Sequence, residues 1–198
     1  MDKHYGELVV DIARKTITEW VKTGKKFEPK NYPMEFAEKR GVFTTLHTYP
    51  DGMLRGCIGY PEPIFPLVRA LVESAISATR DPRFPPLSKG ELGRITIEVS
   101  VLTKPQLIKV KNPKEYLAKI DLGKDGLIIE KGPFRGLLLP QVPVEWEWDR
   151  ETFLANLCQK ASLPTDYWLS KDVKIYKFQA EIFAEETPNG PVKKVEKA

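Results

Sequence analysis

Gly41-Val42-Phe43-Thr44-Thr45-Leu46-His47-Thr48-Tyr49-Pro50-Asp51-Gly52-Met53-Leu54-Arg55-Gly56-Cys57-Ile58-Gly59 decides how this chain is read. Residues 41–48 are rich in β-formers, and Tyr49-Pro50-Asp51-Gly52 carries turn chemistry, with proline to preset φ and glycine to accept a positive one. Two extended runs around such a turn read as a β-hairpin. If those four residues are the whole loop, Thr48 pairs with Met53 and Thr44 with Cys57. Arg55 and Cys57 then share a face with Thr44 and Leu46, and His47 lies on the other. A loop one residue longer or shorter reverses the parity and brings His47 to the cysteine's face, because side chains alternate with a period of two. Both registers stay open.

Within that hairpin, Gly56 and Gly59 bracket Cys57. Glycine inside a strand loses entropy and adds no packing, so it marks a bulge or a close approach to the backbone. Here both glycines are candidate points of approach for a ligand. Cys57 is the candidate nucleophile, since a neighbouring cation such as Arg55 favours the thiolate. Its plainer reading is a small buried hydrophobe with an inert thiol. Arg55 has the guanidinium geometry to clamp a carboxylate or phosphate, and it serves equally in a structural ion pair with Glu98 or Asp81. His47 has the chemistry of an acid, base or ligand near neutral pH, although a strand histidine is more often only hydrogen-bonded.

Downstream of the hairpin, Leu67, Val68, Ala70, Leu71, Ala75, Ile76 and Ala78 predict a broadly buried helix. It ends at Arg80-Asp81-Pro82-Arg83-Phe84-Pro85-Pro86, a stiff, charged loop whose prolines push the residues before them out of helical geometry. Asp81 and Arg83 there are candidate ligand contacts, or a pair holding their own loop. Ile95, Ile97, Val99 and Val101 alternate with Thr96, Glu98 and Ser100, a strand with one core face and one polar face. Glu98 on that polar face is the candidate general base. Upstream, Leu8, Val9, Ile12, Ala13, Ile17, Trp20 and Val21 predict an amphipathic helix that stops at Gly24.

Residues from about 104 to 140 break into short pieces and read as a small subdomain or insertion: a helix over 113–120 and strands over 126–131 and 136–139. A helix over 152–161 follows, with Cys158 on its apolar side, and residues 173–183 are expected to return to the sheet as one strand. Trp146 and Trp148, alternating with acidic residues, read as packing between subdomains or as an aromatic recognition edge. The end of the chain, about 185–198, is expected to be a mobile tail.

Composition bounds the function. At 198 residues with a hydrophobic fraction of 41%, the chain suits a single globular domain, with or without a small subdomain. No apolar run reaches the roughly 20 residues of a membrane span, and no leader pattern opens the sequence, so a cytoplasmic protein is expected. Two cysteines in unrelated settings point to reduced thiols. A net charge of +4 permits weak association with polyanions and falls short of a dedicated nucleic-acid binder. No zinc or iron–sulfur spacing, phosphate-binding glycine loop, dinucleotide fingerprint or serine-hydrolase elbow occurs, so no metal or cofactor is assigned. Few Asn, Gln and Cys with many Pro and Lys suit a thermophile.

Leu-Arg-Gly-Cys-Ile-Gly at 54–59, Asp-Pro-Arg-Phe at 81–84, Glu-Val-Ser-Val-Leu at 98–102 and Leu-Leu-Leu-Pro-Gln-Val-Pro-Val-Glu at 137–145 resemble the AMMECR family. The resemblance runs from about residue 6 to about 182. Lys160-Ala161-Ser162-Leu163-Pro164 departs from the Lys-Ala-Gly-Leu-Pro form associated with the family, which questions a helix-ending left-handed glycine there. The resemblance implies an α+β fold: an antiparallel sheet flanked by helices, a smaller second subdomain, and the signature motif near a cleft between the two. It implies no settled reaction. Association of relatives with Memo-type and radical-SAM proteins implies a shared pathway.

Two functional classes follow. One is a cytoplasmic enzyme acting on a small or peptidic anionic substrate, with Cys57 as nucleophile, Glu98 as base, Arg55 and Arg83 as anion-binding groups, and Gly56, Gly59, His47 and Asp81 lining the site. The other is a non-catalytic module that holds a peptide or protein partner. Weak nucleic-acid association is a further alternative.

Overall fold

The computed structural model describes residues 3–195. The described residues form two compact units, one built from 3–102 and 181–195, the other from 103–180. The chain's class is α+β, with two antiparallel sheets and five α-helices among the described residues.

The first unit opens with α1 (Lys3–Thr23), which ends on Gly24 at φ +71°, where the Gly24 N–H reaches the carbonyl of Trp20 at 2.8 Å. Glycine adopts that left-handed geometry without the Cβ clash other residues meet. β1 (Val42–Thr48) and β2 (Leu54–Tyr60) form the expected hairpin, followed by α2 (Leu67–Ala78) and β3 (Ile95–Leu102). β8 (Ala180–Glu185) and β9 (Val192–Val195) complete a five-stranded sheet in the order β2-β1-β3-β8-β9. Val42, Leu46, Ile95, Ile97, Val99 and Val101 are buried in one cluster with α1 and α2. The strand alternation thus sends the opposite set (Phe43, Thr45, His47, Thr96, Glu98 and Ser100) to the face away from the helices, where all six are only half-buried.

Arg14 of α1 is buried beneath the strand ends. It forms a bidentate pair with Glu185 of β8 and donates to the carbonyls of Leu92 at 3.0 Å and Ile95 at 2.9 Å, while the Ile97 N–H also donates to Glu185. A buried pair of this kind is tolerated because its polar atoms find partners.

The second unit holds β4 (Gln106–Leu107), α3 (Tyr116–Lys119), β5 (Gly126–Lys131), β6 (Phe134–Leu138), α4 (Val142–Glu145), α5 (Arg150–Lys160) and β7 (Lys174–Phe178). Its sheet runs β4-β7-β5-β6. Leu127, Ile129 and Ile175 pack against Phe153, Leu154, Leu157 and Cys158 of α5. At the end of α5, Ser162 takes φ +58°, its N–H donates to Gln159 and the Leu163 N–H donates to Cys158, both at 2.9 Å. That is the hydrogen-bond pattern of a glycine-type helix stop carried by a serine, so the departure in sequence does not change the backbone.

Three expectations are corrected. The second unit reaches 180 instead of ending near 140, because α5 and β7 belong to its core. Residues 173–183 are two strands in two different sheets, with Gln179 between β7 and β8. The supposed mobile tail pairs as β9 with β8, Glu185 opposite Val192 and Ile182 opposite Val195, and residues 196–198 lie outside the described ones.

Candidate functional site

The hairpin register settles the position of Cys57. The Thr48 N–H donates to the Met53 carbonyl at 2.8 Å across the four-residue loop, as the turn chemistry predicts. Past His47 opposite Leu54, however, the ladder slips: Leu46 faces Gly56, Thr45 faces Cys57 and Thr44 faces Ile58. Arg55 is the extra residue of a β-bulge, so parity reverses above the loop and not within it. Thr44 opposite Cys57, with Arg55 and Cys57 on the core face, is therefore replaced by the other register. Cys57, Thr45 and His47 lie on the polar face, and Gly56 lies on the core face with Leu46.

β1 also pairs with β3, Thr45 against Glu98 and His47 against Thr96. Cys57, Thr45 and Glu98 therefore form a row across three strands, which sets the backbones of Cys57 and Glu98 roughly 10 Å apart. His47 is the diagonal neighbour of Cys57, at a spacing of about 7–8 Å between backbones. The Thr45 hydroxyl donates to Cys57 Sγ at 3.2 Å, and the thiol is half-buried. Cys158 is fully buried on α5, and burial pushes its thiol up.

β2 is an edge strand, and its outward backbone groups need partners. At Cys57 the Asp81 carboxylate and the Arg83 guanidinium supply them. The carboxylate accepts from the Cys57 N–H at 2.9 Å, from the Arg83 N–H and Nε at 3.0 Å each, and from Arg83 Nη2 at 2.7 Å. Arg83 Nη2 also donates to the Cys57 carbonyl at 3.4 Å. The two most distinctive motifs, 54–59 and 81–84, are thus one interlocked feature. Asp81 is 2% exposed, and the Arg83 guanidinium beside it holds its carboxyl far below the ordinary carboxylate range. Because the Cys57 N–H points to Asp81 and away from β1, the Thr45–Cys57 pair is of the close, non-hydrogen-bonded kind, which brings hydroxyl and sulfur together.

Arg55 pairs neither with Glu98 nor with Asp81. Its Nε donates to Glu91 at 2.7 Å, and its Nη2 donates to Glu91 at 3.2 Å and to the Pro85 carbonyl at 3.0 Å. Glu91 also accepts the Ser88 N–H and hydroxyl, each at 2.8 Å, and the Arg55 guanidinium draws its carboxyl down to about 2. The Phe84 ring lies within 6 Å of both guanidiniums, 5.8 Å from Arg55 and 5.7 Å from Arg83. Arg55 thus braces the loop after α2, while the Arg83 side chain remains 57% exposed.

The close approaches predicted at the glycines are made by the chain itself. A Cβ on Gly56 would stand 2.4 Å from the Ala78 carbonyl oxygen at the end of α2, and one on Gly59 would stand 2.3 Å from the Phe43 ring. Gly56 is required for seating β2 under the helix, and Gly59 for the ring that covers it. Sequence reading missed Thr45 and Glu91. Ser88 and Glu91 show the spacing of a capping box, a signal that Glu91 has a backbone task. Nothing local singled out Thr45, which matters only through the register.

Among the described residues no cluster of three or more His, Cys, Asp or Glu side chains is arranged to hold a metal, and no helix is long and apolar enough to cross a membrane. The AMMECR1 family model matches residues 10–183. Protein MJ0810 of Methanocaldococcus jannaschii is 60% identical over 188 residues, covering 94% of this chain and 93% of that one. Protein PH0010 of Pyrococcus horikoshii is 56% identical over 195 residues, 96% of this chain and 94% of its own. The crystal structure of the uncharacterized PH0010 matches with a TM-score of 0.79 at 53% identity, over 100% of this chain and 99% of that one. Relatives from thermophilic archaea fit the composition. With the signature hairpin, its edge clamp and the match over most of its length, the chain belongs to the AMMECR1 family.

Proposed function

We propose that the polar face of the five-stranded sheet is the working surface of a thiol-dependent enzyme acting on a small or peptidic substrate, with Cys57 as nucleophile. One observation carries this reading: a half-buried thiol on the face away from the helices accepts a hydrogen bond from Thr45 and shares that face with Glu98 and His47. In the reaction class this supports, Sγ gives up its proton, relayed through water to Glu98 or His47, and bonds to an electrophilic carbon as the leaving group departs. Water or an acceptor then breaks that bond. Substrate charge is read by Arg83, whose side chain stays half-exposed, and Arg55 holds the loop that carries it.

A second reading, a non-catalytic binding module, is favoured by one specific observation. Both arginines spend hydrogen bonds on carboxylates of their own chain, which makes the motif a rigid surface. Alkylation by iodoacetamide, read residue by residue by mass spectrometry, separates the two. At pH 6.5 a catalytic Cys57 reacts at least about tenfold faster than free cysteine, with buried Cys158 as the internal unreactive control. A Cys57 no faster than free cysteine overturns the enzymatic reading and leaves the binding module.

A further inference from the structure

We infer that the second unit carries an anion-binding pocket for a phosphorylated small molecule. A concavity of about 380 Å³ lies between the segment after β4 and the segment that leads into β7. Lys109 and Lys111 stand on one wall, Lys171 and Lys174 on the other, and all four are exposed. No acidic side chain lines it. Ile108, Tyr116 and Val173 are buried residues at its floor.

The carboxylates close to these lysines in sequence or across the sheet are engaged by other groups. Asp172 takes Lys131 and the Ser170 hydroxyl. Glu130, across the sheet from Lys174, takes Arg135 at 2.9 Å. Glu115 accepts the backbone N–H groups of Lys111 and Asn112 and lies 3.8 Å from Lys119. Among the described residues none of the four pocket lysines is in an ion pair. Four like charges around one concavity repel, and a bound anion relieves that repulsion.

Lysine is placed along edge strands to prevent sheets from joining, which accounts for Lys109 and Lys111 beside the edge strand β4. It does not account for Lys174, because β7 is an interior strand of the same sheet, nor for Lys171, which lies in the turn before β7. Lysine ammonium groups act as point charges toward phosphate, whose oxygens accept from several donors at once. The apolar floor suits the organic body of the same ligand, and the volume lies in the range of small-molecule pockets, about 300–1,000 Å³.

A second concavity of about 500 Å³ shares Leu107, Ile108 and Lys109 with the first. Its other lysines are spent: Lys119 on the Lys109 carbonyl and Glu115, Lys177 on Asp125. The free charge is therefore concentrated in the smaller pocket.

Calorimetric titration of the full chain with inorganic pyrophosphate at low salt tests this. Binding is expected, and Lys171→Gln with Lys174→Gln is expected to weaken it about tenfold or more, the effect of one lost charge-assisted contact. Lys109→Gln with Lys111→Gln should repeat the loss from the other wall, and Lys193→Gln with Lys194→Gln in the first unit should leave binding intact. Thermal melts of each variant exclude unfolding as the cause. No heat at millimolar pyrophosphate, or equal affinity in the pocket variants, overturns the proposal. So does binding confined to single-stranded RNA and growing with its length, which would assign the lysines to a nucleic-acid surface.

Discussion

Replacing Asp81 by Asn tests whether the edge clamp holds the signature strand. The carboxylate accepts four hydrogen bonds, two on each oxygen, from Cys57 and Arg83. Turning one oxygen into an amide nitrogen sets a donor against two donors and removes the charge that Arg83 neutralises. A buried charge-assisted hydrogen bond is worth about 1.5–3 kcal/mol, and a donor left unsatisfied costs about 1–3 kcal/mol. The expected loss is about 3–5 kcal/mol, in the range for breaking a buried ion pair from one side. Amide hydrogen exchange at Cys57 reads this locally and should accelerate by about 100-fold or more at pH 7.

The same carboxyl gives the effect a pH signature. Its folded value lies far below the usual carboxylate range, so it stabilises the fold above the unfolded value of about 3.9 and loses that contribution as pH falls from there. Asn does not titrate. Urea unfolding should show a wide gap between wild type and variant at pH 7 that narrows below about pH 4. A gap under about 1 kcal/mol at pH 7, or one unchanged from pH 5 to pH 2, would refute the clamp.

Ser162→Gly should stabilise the second unit. A left-handed backbone costs an L-residue about 1–2 kcal/mol, and glycine's greater chain entropy returns part of it, for a net gain of about 0.5–1 kcal/mol or roughly 1–4 °C in melting temperature. Arg14→Met strands the Glu185 carboxylate and should cost about 3–5 kcal/mol in urea unfolding, whereas adding Glu185→Leu should recover most of it.

The helix over 67–78, the strand from 95 and the hairpin turn were legible because each repeats its signal locally, every third or fourth residue in the helix and every second in the strand. The extent of the second unit was not legible. Whether residues after 140 packed on the first sheet or the second depended on contacts distant in sequence, and residues 173–183 carried one pattern while serving two sheets. The tail was misread because β9 is short and charged, and its order comes from pairing with β8.

Residue types alone marked the Cys57 hairpin and the Asp81 loop as places where reactive side chains and backbone constraint coincide. They also showed that glycine at 56 and 59 answers a close approach. Only the tertiary structure decided that the approaching atoms are Ala78 and Phe43, that Arg55 goes to Glu91, and that Cys57 shares its face with His47 and Glu98. A one-residue bulge inverts every side chain beyond it, and a cation finds its carboxylate by distance in space, so neither outcome is written in local periodicity.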